Sequence, residues 1–157
     1  MTESHSMDSF AGEWELKDPV WVGGMFGDPV WDFWNDKNNP LTLCLDGSQY
    51  RPDNHIKTDL GSVPRFLQRR LPKWFDRARY PRSYIFHDNI YHTGGVWKFI
   101  AGQWIFCILT RIEADEMLRR MCIIEGASRA NAAMIYYGVR LGGWASWDEK
   151  AQIKERG

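Results

Sequence analysis

The sequence predicts an α+β domain: short N-terminal β-strands with a hairpin, followed by about four helices. Three observations predict it. Through Asp59 the chain runs in short extended or alternating stretches broken by Gly, Pro and Asp, without a helical period. From Pro64 onward, prolines, capping residues and glycines bracket stretches of helical length. The length of 157 residues suits one domain of ordinary size and is too short for two comfortable ones.

Each element has its own justification. Asp18-Pro19-Val20-Trp21 recurs ten positions on as Asp28-Pro29-Val30-Trp31, around Gly23-Gly24-Met25-Phe26-Gly27. Two extended segments joined by a glycine-rich turn is the economical reading. Residues 41–45 alternate as a strand and end in the turn Asp46-Gly47-Ser48, and 55–59 form another short strand. Pro64 opens a first, basic helix as far as Leu71. Pro81 opens a second, which runs to about His92 and stops at Thr93-Gly94-Gly95. A third covers 110–125 with Gly126 as its stop, and Ser128 caps a fourth that ends at Gly142-Gly143. The apolar stretch 99–109 is interrupted by Gln103 and is shorter than the roughly 20 residues of a membrane span, so it reads as a buried helix or strand.

Apolar residues at 44% and charged residues at 25% exclude wholesale disorder and a collagen-like fibre. Lys+Arg and Asp+Glu both number 20, so overall charge alone draws the chain to neither DNA nor a membrane. That zero is a cancellation. Residues 1–57 hold four basic and ten acidic residues; residues 58–157 hold sixteen basic and ten acidic. Of nine Trp, four lie in the acidic front: Trp14, Trp21, Trp31 and Trp34. They serve either a core or an aromatic surface on which a partner docks. The organisation expected is a Trp-rich acidic extension over 1–40, an α+β domain over 41–147 and a charged tail over 148–157. The polar opening stretch shows no signal peptide. Three Cys in no C-x-x-C spacing argue against a disulfide framework or a Cys-based zinc ribbon.

The most informative string is Phe86-His87-Asp88-Asn89-Ile90-Tyr91-His92. On a helix, His87 and Tyr91 share one face while Asp88 and His92 share another. In the next helix Asp115 lies at three-residue steps from Ile112 and Leu118, on or beside the apolar face, where a carboxylate needs a partner. His87 and Tyr91 on a facing helix would supply two donors. Asp115 would then fix the His87 tautomer, leaving its other nitrogen as general base on a water. Asp88 would be available to a divalent cation that polarises a substrate oxygen. The same pair also reads as a buried polar link that holds two helices in register. Asp59 either satisfies loop amides or completes a metal site with His87 and Asp88. A zinc site of Asp59, His87 and His92 ranks below calcium or no metal, because two His five apart fit one ion poorly on a regular helix.

His87-Asp88-x-x-Tyr91 followed by a helix bearing Ala114-Asp115 resembles the catalytic helices of phospholipase A2, above all the short, disulfide-free versions of some viral capsid proteins. The resemblance covers these two helices. It implies His87 as base, Asp88 as calcium ligand, and Tyr91 and Asp115 as the groups that orient His87. A broader resemblance takes in Thr58-Asp59-Leu60-Gly61-Ser62-Val63-Pro64-Arg65, then His87-Asp88-x-x-Tyr91, then Arg111 and Ala114-Asp115. In that order the blocks are similar to a family of small phage and prophage proteins, domain-of-unknown-function family 1353, across roughly 41–147. The Trp-rich front and the apolar insertion between Gly95 and Thr110 lie outside those blocks. The resemblance implies a phage or prophage origin, and with it a virion or host-cytoplasm location and other phage structural proteins as partners.

Arg65, Arg69 and Arg70 begin a run of seven basic residues ending at Arg82, with Asp76 as its one acid. Such a run is ordinarily a solvated face; it also suits phosphate-rich partners, phospholipid ahead of nucleic acid. No helix-turn-helix, zinc-finger, P-loop or nucleophile-elbow pattern accompanies it. Two functions from different classes follow: a virion component (tail, baseplate or head-associated), and a divalent-metal-dependent hydrolase of an ester or phospholipid.

Overall fold

A computed structural model describes residues 7–22, 28–58, 79–142 and 147, the side chains of 18–22 and 28–30 excepted. Among them eight strands and three helices form an α+β fold with two antiparallel sheets. The order is β1 (Ser9–Ala11), β2 (Trp14–Val22), β3 (Asp28–Asn35), β4 (Thr42–Leu45), β5 (Ser48–Arg51), β6 (His55–Thr58), α1 (Pro81–Thr93), β7 (Gly95–Ile100), β8 (Gln103–Ile108), α2 (Arg111–Ile124) and α3 (Arg129–Gly142). The sequence predicts about four helices and the described residues hold three. The helix expected from Pro64 lies outside them.

One sheet runs β1-β4-β5-β7-β8 and the other β2-β3-β6. The Asp-Pro-Val-Trp repeat lies in two paired strands, with Val20 opposite Val30 and Trp21 opposite Pro29. The register shifts between Lys17 and Val20, at Pro19, which has no N–H to give a ladder. Asp46 and Gly47 both take positive φ, the requirement of a two-residue hairpin turn, and join β4 to β5. The front is threaded into both sheets, because β1 pairs with β4 and β3 pairs with β6.

The stretch 99–109 departs from its expectation. It is neither one element nor buried: β7 and β8 form a hairpin turned at Ala101 (φ 50°) and Gly102 (φ 80°), with Phe99, Ile100, Ile105 and Ile108 exposed. Ala-Gly is a weak turn signal beside Asn-Gly or Asp-Gly, so the apolar run masks the break.

The helices follow their caps. Thr110 and Glu113 form a reciprocal capping box on α2. The Ser128 hydroxyl accepts from the Asn131 N–H to start α3. Gly94 ends α1 in the left-handed conformation, its N–H 2.7 Å from the Ile90 carbonyl. Nothing in its own first turn caps α1. Glu125, at the end of α2, reaches back instead and accepts from the Ser83 N–H (2.6 Å) and hydroxyl (2.7 Å). A carboxylate there also complements the helix dipole. The core joins Phe33, Leu41 and Leu43 of the sheets to Ile85, Phe86 and Ile90 of α1 and to Leu118, Met121 and Ile135 of α2 and α3. The three cysteines are free, and burial pushes the Cys122 thiol up to about 12, so it packs as an inert apolar group.

Close packing at the front makes one substitution decisive. Gly12 has φ +94°, and an added Cβ would sit 2.1 Å from the Pro40 carbonyl oxygen, beside the Glu13–Asn39 backbone hydrogen bond. Gly12→Ala is expected to cost roughly 2 kcal/mol, read as a lowered midpoint in urea unfolding.

Candidate functional site

Helix α1 is buried over nine consecutive residues, Ser83 to Tyr91, and four of these are Ser, His, Asp and Asn. A polar helix in that position needs a partner for each group, since an orphaned buried polar atom costs about 1–3 kcal/mol. Every one has a partner, each from a different place. Ser83 meets Glu125, as above. Asp88 accepts a short hydrogen bond from the Thr58 hydroxyl on β6. Asn89 donates from Nδ2 to Asp53 (3.1 Å) and accepts from the Asp53 N–H (3.0 Å).

His87 meets Asp115 of α2. Its Nε2 lies 2.7 Å from Asp115 Oδ1, and the Tyr91 hydroxyl donates to the same oxygen at 2.5 Å. The expected face-sharing of His87 and Tyr91 is therefore realised, with ring centroids 4.1 Å apart. Asp115 is completely buried and His87 is 4% exposed. The second carboxylate oxygen takes Arg140 of α3 at 2.9 Å. Arg111, one turn before Asp115, donates to Tyr91 Oη (3.3 Å) and to the carbonyls of Val139 (3.0 Å) and Arg140 (2.7 Å), which are the open end of α3. Trp147 closes over Tyr91 edge to face, with centroids 5.1 Å apart.

The electrostatics set the protonation states. Burial pushes the Asp115 carboxyl up, but hydrogen bonds from His87, Tyr91 and Arg140 and the electrostatic effect of His87 outweigh it and hold the group below the ordinary range. Burial and the neighbouring Asp115 raise the Tyr91 hydroxyl far above its usual value, so it stays a donor. An ionised carboxylate only accepts, so His87 Nε2 carries a proton and donates to Asp115. Chemically this is an imidazole oriented through Nε2.

Asp59, Arg65, Arg69 and Arg70 lie outside the described residues. His92 is exposed, away from buried His87, and the pair does not converge on one ion. No group of three or more His, Cys, Asp or Glu among the described residues is arranged to hold a metal. Trp14 and Trp31 pack against the core, whereas Trp34 is 42% exposed and stacks on His55 at 4.0 Å. Of Trp21 only the backbone is described. Arg140, Thr58, Asp53 and Asn89 escaped sequence reasoning as members of these networks. Only a burial pattern on all sides of α1 would have pointed to them, and a one-dimensional period does not carry it.

A family model described as "Protein of unknown function (DUF1353)" matches residues 46–139. The chain belongs to that family. The match takes in Thr58, His87, Asp88, Tyr91, Arg111 and Asp115 and runs through the β7–β8 hairpin; it leaves out the four Trp of the front and stops one residue short of Arg140. No curated protein and no solved structure matches the chain. In this DUF1353 protein the conjunction of His87, Tyr91 and Asp115 thus sits inside the family's own segment, while its second counter-ion comes from just beyond it.

Asp115→Asn is expected to destabilise the fold by about 2–4 kcal/mol at neutral pH, because it removes the charge that His87 and Arg140 face. The sign with pH follows from the depressed carboxyl. Its contribution is complete above the unfolded value of about 3.9 and is lost as pH falls through the lower folded value. Urea titrations should find wild type and Asp115→Asn far apart at pH 7 and converging below about pH 4.

Proposed function

We propose that this DUF1353 protein is a phage particle component, from the tail, baseplate or head, and that His87, Asp115 and Tyr91 form a phospholipase-A2-like hydrolytic centre within it. One observation carries the catalytic half: a fully buried, ionised Asp115 holds the His87 ring through Nε2 with Tyr91 as second donor. That is the orientation a general base needs, with Nδ1 left to take a proton from a water attacking an ester carbonyl. The virion half is supported by the resemblance of the three sequence blocks to small phage and prophage proteins, and by the Trp-bearing front outside the family match, with exposed Trp34 as its docking side chain.

Asp88 is a single carboxylate already engaged by Thr58, and its expected companion Asp59 lies outside the described residues. No step here runs through a metal.

A second reading has its own observation in favour. Asp115, Arg111 and Arg140 tie α1, α2 and α3 together, and His87 is nearly sealed, so the cluster serves as a three-helix clamp. On that reading the protein is a virion structural component without turnover.

Fatty-acid release from phosphatidylglycerol vesicles separates the two. His87→Gln should lower the rate by about 10²-fold or more while thermal stability holds, since Gln can still donate to Asp115. Unchanged turnover in that variant, or none in wild type, leaves the clamp. Mass spectrometry of purified particles should find the chain at a fixed copy number; its absence would sink the virion half.

A further inference from the structure

Away from the His87 cluster, the segment Arg51–His55 and the β7–β8 hairpin enclose a groove of about 480 Å³, lined by Arg51, Pro52, Asp53, Asn54, His55, Trp97 and Trp104. That volume is in the range of small-molecule sites. The walls follow from strand register. Arg51 is directly opposite Trp97, and Trp104 is opposite Phe99, two residues along from Trp97. The period of two therefore puts Arg51, Trp97 and Trp104 on one face of the sheet.

The charges in the groove are unevenly committed. Both Asp53 oxygens are turned to neutral donors: Oδ1 accepts from Trp97 Nε1 at 2.7 Å, and Oδ2 accepts from Asn89. These bonds also fix the Trp97 indole, which packs edge to face on Phe106 at 5.3 Å. His55 is engaged with Asp32 at 3.1 Å and with the Trp34 ring. Arg51 is different. Its guanidinium lies 4.0 Å over the Trp104 ring, and Nε donates to the Thr42 hydroxyl at 3.3 Å. No carboxylate among the described residues pairs with it. The guanidinium is partly shielded from water, and its two terminal nitrogens make no hydrogen bond among the described residues. Burial presses its pKa down.

We propose that this groove binds a small organic oxyanion, a phosphate or carboxylate carried on a flat ring, with the anion on the Arg51 fork and the ring against Trp97 and Trp104. A guanidinium fork matches either oxyanion with two parallel hydrogen bonds. Indole rings supply the apolar contact for a ring, and Asn54 also lines the groove. The site owes nothing to the hydrolase reading and stands if that reading fails.

Full-length protein labelled with ¹⁵N would be titrated with phenyl phosphate, benzoate, inorganic phosphate and benzyl alcohol while the indole N–H signals are followed. Phenyl phosphate or benzoate should move the Trp97 and Trp104 signals saturably, and benzyl alcohol should bind at least about tenfold more weakly. Arg51→Gln should weaken the anions by a similar factor, with the thermal midpoint unchanged. Competition by phosphatidic acid vesicles would assign the anion to a lipid headgroup; failure to compete would assign it to a free metabolite. The proposal falls if neither ring-bearing anion produces a saturable shift by about 10 mM, well beyond half-filling of even a weak site. It falls equally if benzyl alcohol binds as well as the anions, a comparison in wild type that holds even if Arg51→Gln does not fold.

Discussion

The structure depends on a polar helix being buried on all sides. Ser83, His87, Asp88 and Asn89 follow one another closely along α1, and water reaches none of them freely. Hydrophobic burial of Ile85, Phe86 and Ile90 pulls the helix inward, and the polar groups then dictate what surrounds it. Glu125 must come from the end of α2, Asp115 from its first half, Thr58 from β6 and Asp53 from the turn before it. Each bond sets the position of a different element. Apolar contacts alone tolerate sliding, whereas four directional partners do not.

Asp115 is the point where this constraint is steepest. A lone carboxylate in that position would protonate or unfold the site, and three donors from two other helices, His87 and Tyr91 of α1 and Arg140 of α3, keep it ionised. The arrangement that makes the charge tolerable also fixes the imidazole tautomer. Stability and the orientation of the imidazole thus draw on the same hydrogen bonds. Asn89, next to Asp88, carries the network on to Asp53 and from there to the Trp97 indole, so the wall of the Arg51 groove is braced by the same helix.

The two charged halves of the chain meet in folded form. Arg120 of the basic half binds Asp8 at 3.1 Å and both oxygens of Asp46 at 2.5 and 2.6 Å, and Arg82 lies 5.8 Å over the Trp14 ring. Hydrogen bonding to Arg120 holds the exposed Asp46 carboxyl below its usual range. The acidic front is accordingly woven into the domain by sheet pairing and by charge. Its Trp residues divide the same way, with Trp14 and Trp31 against the core and Trp34 outward.

Local chemistry determined a good deal by itself. The Asp46-Gly47 turn, the Thr110 and Ser128 caps, the Gly94 stop and the pairing of the Asp-Pro-Val-Trp repeats all depend on residues close in the chain. So does the sharing of a face by His87 and Tyr91, and the need of Asp115 for partners, because helix period is a local property. Tertiary structure alone decided that Arg140 would be the counter-ion, that Thr58 and Asp53 would satisfy Asp88 and Asn89, and that 99–109 would split into an exposed hairpin. It alone set Arg51 beside two indoles, with no carboxylate among the described residues paired to it. The physical reason is common to all of these. Which distant groups meet is set by packing in three dimensions, and no period or cap along the chain encodes a partner's address.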